Sequence, residues 1–198
     1  MTARDPNIED DVRALVRNIV DGLWGDEDNA PDARSQTPEA RSGTEVRTVA
    51  VGGDHGGFAL KERIAFKLSE QGFDVIDCGT DSTEAVDYPD IAVSVARRVA
   101  SGEADAGVVV DGAGIGSAMA ANKIPGIRAA LCYDLSTARN ARDHNHANVL
   151  TIGAGLTGDA LAWEITQEFL ATPYGGGRHA RRVEKIDALD RASMENAE

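Results

Sequence analysis

One stretch near the middle of the chain constrains the fold more than any other. Residues 108–122 read VVVDGAGIGSAMAAN. Three consecutive valines are typical of a strand that is buried on both faces of a parallel sheet. The alternating glycines after them allow a tight turn into a helix whose first amides stay exposed. The stretch therefore predicts a βα unit with an anion-binding loop, and it places Asp111 where the strand ends.

The same alternation of strand and helix fills the chain from residue 46 onward. We predict strands at 47–52, 74–77, 107–111, 129–132 and 149–152. We predict helices at 59–71, 91–100, 115–122, 135–143, 159–171 and 181–194. A βα repeat of this kind gives a parallel sheet with helices on both faces and right-handed crossovers. Residues 46–198 are thus predicted to form one α/β domain around a five-stranded parallel sheet.

Composition excludes several classes of function. The formal net charge of −13 disfavours a nucleic-acid-binding surface. No apolar run approaches the roughly 18 residues of a membrane helix. The two cysteines, Cys78 and Cys132, lack paired spacing, so we expect neither a disulfide scaffold nor a thiolate zinc site. The acidic N-terminus is not typical of a secretory signal, and we therefore expect a cytoplasmic protein.

The first 45 residues differ from the predicted domain. Residues 25–45 contain no Val, Ile, Leu, Met or aromatic residue, which predicts a flexible acidic linker that stays disordered. Within residues 1–24, a short amphipathic helix is predicted at 7–24 because its apolar side chains follow helical spacing. This stripe consists of Ile8, Val12, Leu15, Val16, Ile19 and Leu23. Such a helix needs a surface to bury its stripe, either on its own domain, within an oligomer or on another protein.

Polar side chains follow several of the predicted strands. They are Asp54 and His55 after the first, Tyr88 after the second, Asp111 after the third, His144 and Asn145 after the fourth strand and its helix, and Arg178 and Arg182 near the C-terminus. We expect all of them at the same edge of the sheet, because open α/β sheets bind ligands at the carboxyl ends of their strands.

Each of these residues also has a simpler structural interpretation. Asp54 and Asp111 can cap the helices that follow them. Tyr88 can pack beneath a loop with one polar tip exposed. Arg178 and Arg182 can form a solvated helix face. Two motifs with a more specific interpretation are incomplete: His144-x-His146 lacks a third convergent metal ligand, and Gly112-x-Gly114-x-x-Ser117 lacks the third glycine of a dinucleotide fingerprint.

Five separated motifs resemble one known family. In chain order they read GGDHGGFALK, DYPDIA, DGAGIGSAMAANKIPGIRAAL, HNHANVLTIG and GGRHARRVEKI. They resemble the family of ribose-5-phosphate isomerase B and the galactose-6-phosphate isomerase subunits, over residues 47–190. The resemblance implies a Rossmann-like three-layer α/β/α sandwich and a homodimer with shared active sites, a tetramer being the alternative. It also implies aldose–ketose isomerisation of a phosphorylated sugar without a metal or other cofactor.

The chemistry of that reaction assigns roles to the residues. His144 is predicted to open the sugar ring, because histidine titrates near neutrality. The amides of residues 112–117 are predicted to stabilise the cis-enediolate. Arg178 and Arg182, one helical turn apart, are predicted to bind the phosphate. The remaining substrate contacts are assigned to Asp54, His55, Tyr88, Gly112, Gly114, Gly116 and Asn145.

The base that removes the substrate proton is where this sequence departs from the family pattern. Many members carry cysteine at the position of Asp111, and others use glutamate at the position of Ser117. This chain has neither, so we assign the base to Asp111 and give Ser117 a hydrogen bond to Asp111 or to the substrate. An aspartate in a partly dehydrated cleft takes up a proton more readily than one in water. Ala113 stands where a hydroxyl residue is common, which removes one polar contact to the sugar.

The expected reaction is the conversion of ribose 5-phosphate to ribulose 5-phosphate. Two alternatives stay open, namely an isomerase of a tetrose or hexose phosphate and a catalytically silent sugar-phosphate-binding protein. The N-terminal helix and linker resemble, in pattern, the encapsulation peptides that recruit cargo into bacterial microcompartments. This second resemblance implies a shell protein as a partner of residues 7–24, and a location inside such a compartment.

Overall fold

A computed structural model of the chain describes residues 46–195, with side chains through residue 190. The predictions for residues 1–24 and 25–45 lie outside the described residues. The strands are β1 (Thr48–Gly53), β2 (Asp74–Asp77), β3 (Ala106–Asp111), β4 (Ala129–Leu131) and β5 (Val149–Gly153). The helices are α1 (Phe58–Glu70), α2 (Tyr88–Ala100), α3 (Ile115–Ala121), α4 (Leu135–Asp143), α5 (Asp159–Ala171) and α6 (Ala180–Glu195), with a short 3-10 turn at Gly177–His179.

The strands form one parallel sheet in the order β2-β1-β3-β5-β4. This confirms the predicted α/β class and the five-stranded parallel sheet. The largest difference in bounds is at α2, which begins at Tyr88 rather than at residue 91. Pro89 lies in its first turn, where the N–H that proline lacks would have no helical partner.

Two apolar layers enclose the sheet, which explains the run of valines in β3. Val108 and Val110 point into the layer beneath α1, α4 and α5, where Phe169 is fully buried. Val109 points to the opposite layer, where α2 and α3 pack through residues such as Val95. Because both faces are covered, β3 has no polar side of its own until Asp111. The arrangement is the predicted three-layer α/β/α sandwich.

The strand order also fixes where a crevice can form. From β1 the chain moves outward to β2, and it then crosses back to β3 on the other side of β1. After β1 the chain continues toward β2, and after β3 it continues toward the opposite side of the sheet. The gap between the ends of β1 and β3 is therefore the switch point where open α/β sheets bind ligands. Within residues 46–195, none of the helices is long and apolar enough to cross a membrane.

Candidate active site

The loops after β1 and β3 touch each other at the carboxyl edge of the sheet. The Asp54 amide donates to the carbonyl oxygen of Val110 at 3.2 Å. The Asp54 carboxylate accepts a 2.9 Å hydrogen bond from the Gly57 amide. A methyl group on Gly57 would lie 2.0 Å from the Val110 oxygen, so only glycine allows this approach. Asp54 is buried and tightens the turn into α1, in agreement with its simpler interpretation.

Asp111 is buried beneath the glycine loop and is surrounded by hydrogen-bond donors. Its Oδ1 accepts from the Ala113 amide at 2.8 Å and from the Gly114 amide. Its Oδ2 accepts from the Ser117 amide at 3.2 Å and from the Ser117 hydroxyl. A carboxylate offers about four lone-pair positions, and these bonds occupy them. Asp111 therefore orders the loop and caps the start of α3.

This arrangement corrects the predicted role of the loop amides. Those of Ala113, Gly114 and Ser117 donate to Asp111. The expectation that all amides of residues 112–117 face an enediolate is therefore wrong for these three. The amides of this loop that do not donate to Asp111 belong to Gly112, Ile115 and Gly116.

His55 and Tyr88 border the same crevice. The Val86 amide donates to Nδ1 of His55 at 3.3 Å, so the proton of the neutral ring resides on Nε2. The ring of Tyr88 packs over Gly116, where a methyl group would lie 2.5 Å from it. Tyr88 is nevertheless 41% exposed, so it both packs on the loop and faces the crevice.

A buried lysine, Lys61, forms an ion pair with the end of β2 at this edge. The sequence analysis did not identify it. Lys61 on α1 is 1% exposed, and its Nζ lies 2.8 Å from Oδ2 of Asp77 at the end of β2. The other carboxylate oxygen of Asp77 accepts from the Gly79 amide at 2.9 Å. Burial by itself lowers the pKa of Lys61, but the hydrogen bonds to Asp77 and Glu62 outweigh burial and raise it. The sequence did contain a signal for this ion pair, because Lys61 occupies a position of α1 that faces the core.

His144 lies at the opposite, amino edge of the sheet. It follows α4, which starts after β4 and runs back along the sheet. Arg128, which directly precedes β4, donates from Nε to the carbonyl oxygen of His146 at 2.9 Å. The Gly175 amide, after α5, donates to the Asp143 carbonyl oxygen at 3.0 Å. These contacts place the whole 143–148 turn beside the strand starts.

The expectation of one common edge is therefore wrong for a single chain. The residues predicted at the carboxyl edge but placed at the amino edge are His144, Asn145, Arg178 and Arg182. β5 separates the two edges by five residues, which corresponds to on the order of 15 Å. The prediction failed because it placed residues that follow a helix at the same edge as residues that follow a strand. The helix after a strand runs back along the sheet, so its last residues lie at the amino edge.

Two ring stacks organise the amino edge. His144 stacks on His179 with ring centroids 4.1 Å apart and planes 9° apart. His146 stacks on Tyr174 at 4.2 Å and 10°. The two histidines thus belong to separate stacks. Within the described side chains, no group of three or more His, Cys, Asp or Glu residues comes together to hold a metal.

Burial and neighbouring cations lower the pKa of two imidazoles at this edge. Burial lowers the pKa of His146, and the charges of Arg128 and Arg142 lower it further. Burial also lowers the pKa of His179, as does the adjacent His144. Both shifts disfavour the charged form of these two rings.

Comparisons with known proteins cover most of the described residues. A family model of ribose/galactose isomerases matches residues 49–186. Ribose-5-phosphate isomerase B of Escherichia coli is 46% identical over 145 residues, which are 73% of this chain and 97% of that protein. The structure of ribose-5-phosphate isomerase B from Clostridium thermocellum superposes with a TM-score of 0.73 at 46% identity, covering 74% of this chain and 99% of the other. The type B enzyme from Trypanosoma brucei gives 0.70 at 52% identity, covering 73% and 99%.

Proposed function

The chain belongs to the ribose/galactose isomerase family, and we propose that it interconverts ribose 5-phosphate and ribulose 5-phosphate. The observation that carries the substrate is the 46% identity to the Escherichia coli enzyme across 97% of that protein's length. The position of Asp111 supports the reaction type, since a carboxylate ends β3 at the switch point of the sheet.

The reaction needs two proton-transfer stages. In the first, the bond between C1 and the ring oxygen breaks as His144 gives a proton to the ring oxygen. The proton of the C1 hydroxyl returns to His144 through water, and the aldehyde is released. In the second, Asp111 takes the proton from C2 and returns it to C1, while a hydroxyl proton moves from O2 to O1 of the enediolate. Arg178 and Arg182 hold the phosphate through charge-assisted hydrogen bonds. The amides of Gly112 and Gly116 are the proposed donors to the enediolate.

For Asp111 to act as the base, one of its hydrogen bonds must open. Three of its donors are backbone amides, whose directions the loop fixes. The fourth is the hydroxyl of Ser117, which can rotate about its own Cβ–Oγ bond. Rotation of that hydroxyl releases a lone pair of Oδ2. Ser117 is therefore proposed to control when Asp111 becomes basic, without touching the substrate, because it is fully buried.

The proposed site requires a second copy of the chain. Asp111 and His144 lie at opposite edges of one sheet, on the order of 15 Å apart, whereas proton transfer needs hydrogen-bond distance. A homodimer that sets the amino edge of one copy against the carboxyl edge of the other brings the two together. Exposed apolar side chains beside Asp111 support such contact, since Ile115 and Met119 on α3 are 48% and 64% exposed.

The surface along β4 offers a second place for dimer contact. β4 is an edge strand of the sheet. A groove of about 590 Å³ follows it and reaches from Leu131 to Asn145, next to His144. The side chain of Asn122 pairs with the amide and the carbonyl oxygen of Ala129 and covers only the start of this edge. The groove and the exposed face of α3 are the surfaces that we propose a second copy to cover.

Subunit complementation tests the shared site. Asp111→Asn and His144→Ala are each expected to be inactive. Mixed dimers of the two variants contain one site with both substitutions and one intact site, so random re-association restores about a quarter of the wild-type activity. A site within one chain would leave every site damaged and restore nothing. Mixing the two proteins under conditions that prevent subunit exchange is the control.

A coupled assay tests the substrate. Ribose 5-phosphate is compared with erythrose 4-phosphate and glucose 6-phosphate, and we expect the highest kcat/KM for the pentose. A higher value for another sugar would reassign the substrate within the same reaction class. A melting temperature that rises with ribose 5-phosphate in the absence of any turnover would instead identify a silent sugar-phosphate-binding protein.

For the N-terminal segment we propose a role in recruiting the enzyme to a microcompartment shell. The family match begins at residue 49, so residues 7–24 lie outside the residues that the family model matches. The apolar stripe of these residues suits burial against a shell protein. A fluorescent protein fused to residues 1–25 should form foci when co-expressed with shell proteins of the same organism. Replacing Leu15 and Ile19 with glutamate should abolish the foci, and diffuse fluorescence of the unaltered fusion would contradict the proposal.

A further inference from the structure

We infer that Asn140 is a positioning residue that fixes the tautomer of His144, an inference that rests on the proposed role of His144 in ring opening. Asn140 lies on α4 one turn before His144, and its Nδ2 is 2.8 Å from Nδ1 of the imidazole. Residues four apart share a helix face, so the amide reaches the ring without distortion of the backbone. None of the sequence motifs includes Asn140.

A chain of hydrogen bonds fixes which end of each amide is which. The carbonyl oxygen of Asn140 can only accept, and the side chain of Asn145 approaches it with Nδ2 at 3.3 Å. The same Nδ2 lies 3.2 Å from Oδ1 of Asn140. Because that Oδ1 is the acceptor, the other terminal atom of Asn140 is the NH2 group, and it donates to His144. The backbone thus determines the orientation of both amides.

A donor at Nδ1 leaves the ring only one place for its proton. The neutral imidazole of His144 carries its proton on Nε2, because Nδ1 already accepts from Asn140. Nε2 faces Oδ2 of Asp143 at 3.3 Å, and both side chains are about two-fifths exposed at 39% and 41%. The ring of His179 covers one face of the imidazole. Nε2 is therefore the nitrogen that exchanges a proton with the sugar, and the carboxylate of Asp143 orients it.

The charged and titratable groups around Asn140 and His144 come from α4, from the 3-10 turn and from α6. Asp143 belongs to the end of α4. His179 stacks on His144 from the turn before α6, and Arg178 and Arg182 lie close enough to influence that ring. Asp143 is an acceptor that faces Nε2, so it favours the same tautomer as the donor Asn140 does at Nδ1. Asn140 is the side chain that acts on Nδ1.

Two substitutions of Asn140 change the hydrogen-bonding group opposite Nδ1 of His144 while a side chain of similar shape stays in place. Asn140→Leu keeps the branched shape of the side chain but removes the donor, which leaves Asp143 as the group that holds the proton on Nε2. Asn140→Asp also keeps the shape but puts an acceptor opposite Nδ1, which moves the ring proton from Nε2 to Nδ1. Since Asn140 is exposed in the single chain, neither change disturbs the core. Asn140 also lines the groove along β4, so the dimer content of each variant is measured beside its activity.

Nitrogen-15 NMR of the full chain without substrate reads the tautomer directly. The protein has four histidines, and the resonances of His144 are assigned by their loss in His144→Gln. At a pH where the ring is neutral, we expect an unprotonated Nδ1 and a protonated Nε2 in the wild type, and the reverse in Asn140→Asp. A protonated Nδ1 in the wild type, or the same tautomer in both proteins, overturns the inference.

Anomer exchange then tests whether the tautomer matters for ring opening. Ring opening interconverts the two anomers of ribose 5-phosphate, and exchange NMR measures this rate at chemical equilibrium, apart from the step assigned to Asp111. We expect Asn140→Asp to slow the enzyme-dependent exchange by at least about tenfold, with Asn140→Leu between it and the wild type. Equal exchange rates in the three proteins overturn the positioning role. The expected tautomers in a wild type that isomerises no sugar would refute the proposed function alone.

Discussion

The two edges of the sheet are held together by different kinds of contact. At the carboxyl edge the loops after β1 and β3 touch through glycines and backbone amides, and one short carboxylate, Asp111, accepts from three of those amides. At the amino edge, long side chains join segments that are far apart in sequence. Arg128 bonds to the His146 carbonyl oxygen and to Asp187 on α6, and Arg142 bonds to the carbonyl oxygens of Ala147 and Thr172.

The difference suits the two halves of the proposed reaction. A base must hold a fixed direction to a carbon-bound proton, and a loop that is packed backbone on backbone provides this rigidity. Phosphate binding and ring opening need charged and titratable groups, which long side chains supply from an adaptable surface. Added side-chain atoms should therefore destabilise the carboxyl edge, whereas removal of charged side chains should weaken the function of the amino edge.

Substitution of Asp111 should have the largest effect. Asp111→Asn and Asp111→Ser leave no proton acceptor at the end of β3, and turnover of ribose 5-phosphate should fall on the order of 100- to 10,000-fold. Asp111→Cys places a second kind of base at the same point, and we expect it to retain at least about a tenth of the wild-type kcat.

The pair Cys and Ser is the matched control, because the two side chains have similar shape and differ in basicity. If both variants are equally inactive, Asp111 acts by ordering the glycine loop and not as the base. Urea unfolding of each variant shows whether the loop and the fold persist.

An added methyl group at Gly57 should have the next largest effect, on stability. Its Cβ would lie 2.0 Å from the Val110 oxygen, so β3 and the start of α1 must separate. We expect Gly57→Ala to lower the free energy of unfolding by about 3 kcal/mol. Gly112→Ala is the control in the neighbouring loop, since its Cβ would meet nothing within 4 Å, and it should cost less than about 0.5 kcal/mol. Equal losses would show that the carboxyl edge yields to added atoms.

Sequence patterns determined the carboxyl edge well because its information is local. Three valines, a carboxylate and alternating glycines are consecutive, and the structure places β3, Asp111 and the loop in that order. What the pattern could not give is the direction of the amides, since donation to Asp111 depends on φ and ψ values such as the positive φ of 77° at Gly114.

The amino edge was placed wrongly because its information is not local. His144, Tyr174 and His179 come together only after α4 and α5 have returned across the sheet. Asn140 was missed although its spacing from His144 was visible, because a lone asparagine on a helix face is ordinary. The partners of Arg128 lie up to 59 residues away, and no window of sequence contains them.

Removal of either arginine that we propose to bind the phosphate should have an intermediate effect, on binding. Arg178→Ala and Arg182→Ala each remove a charge-assisted contact worth about 1.5–3 kcal/mol, which corresponds to a rise in KM of about 10- to 150-fold. Arg139→Ala is the control, because it removes the same charge from the protein. Arg139 belongs to α4 and pairs with Glu168 at 2.8 Å, so its removal should leave KM unchanged. A rise in KM for all three would mean that the net charge of the protein and not local contact attracts the substrate.

The smallest effect concerns pH and tests whether the amino edge is an electrostatic structure. Burial, followed by the charges of Arg128 and Arg142, lowers the folded-state pKa of His146 below its ordinary value near 6.5. Between the ordinary and the lowered value the unfolded chain binds more protons, so stability that is present above about pH 6.5 is lost as the pH falls. His146→Asn should reduce this slope and not abolish it, because burial lowers the pKa of His179 in the same direction. Asparagine tolerates the positive φ of 49° at this position.

Urea unfolding between about pH 7.5 and about pH 5.5 measures the slope. Tyr174→Phe keeps the ring stack and should keep the wild-type slope. An unchanged slope in His146→Asn would mean that neither burial nor the arginines of the amino edge lower the pKa of this histidine. The contrast between the two edges would then depend on packing alone.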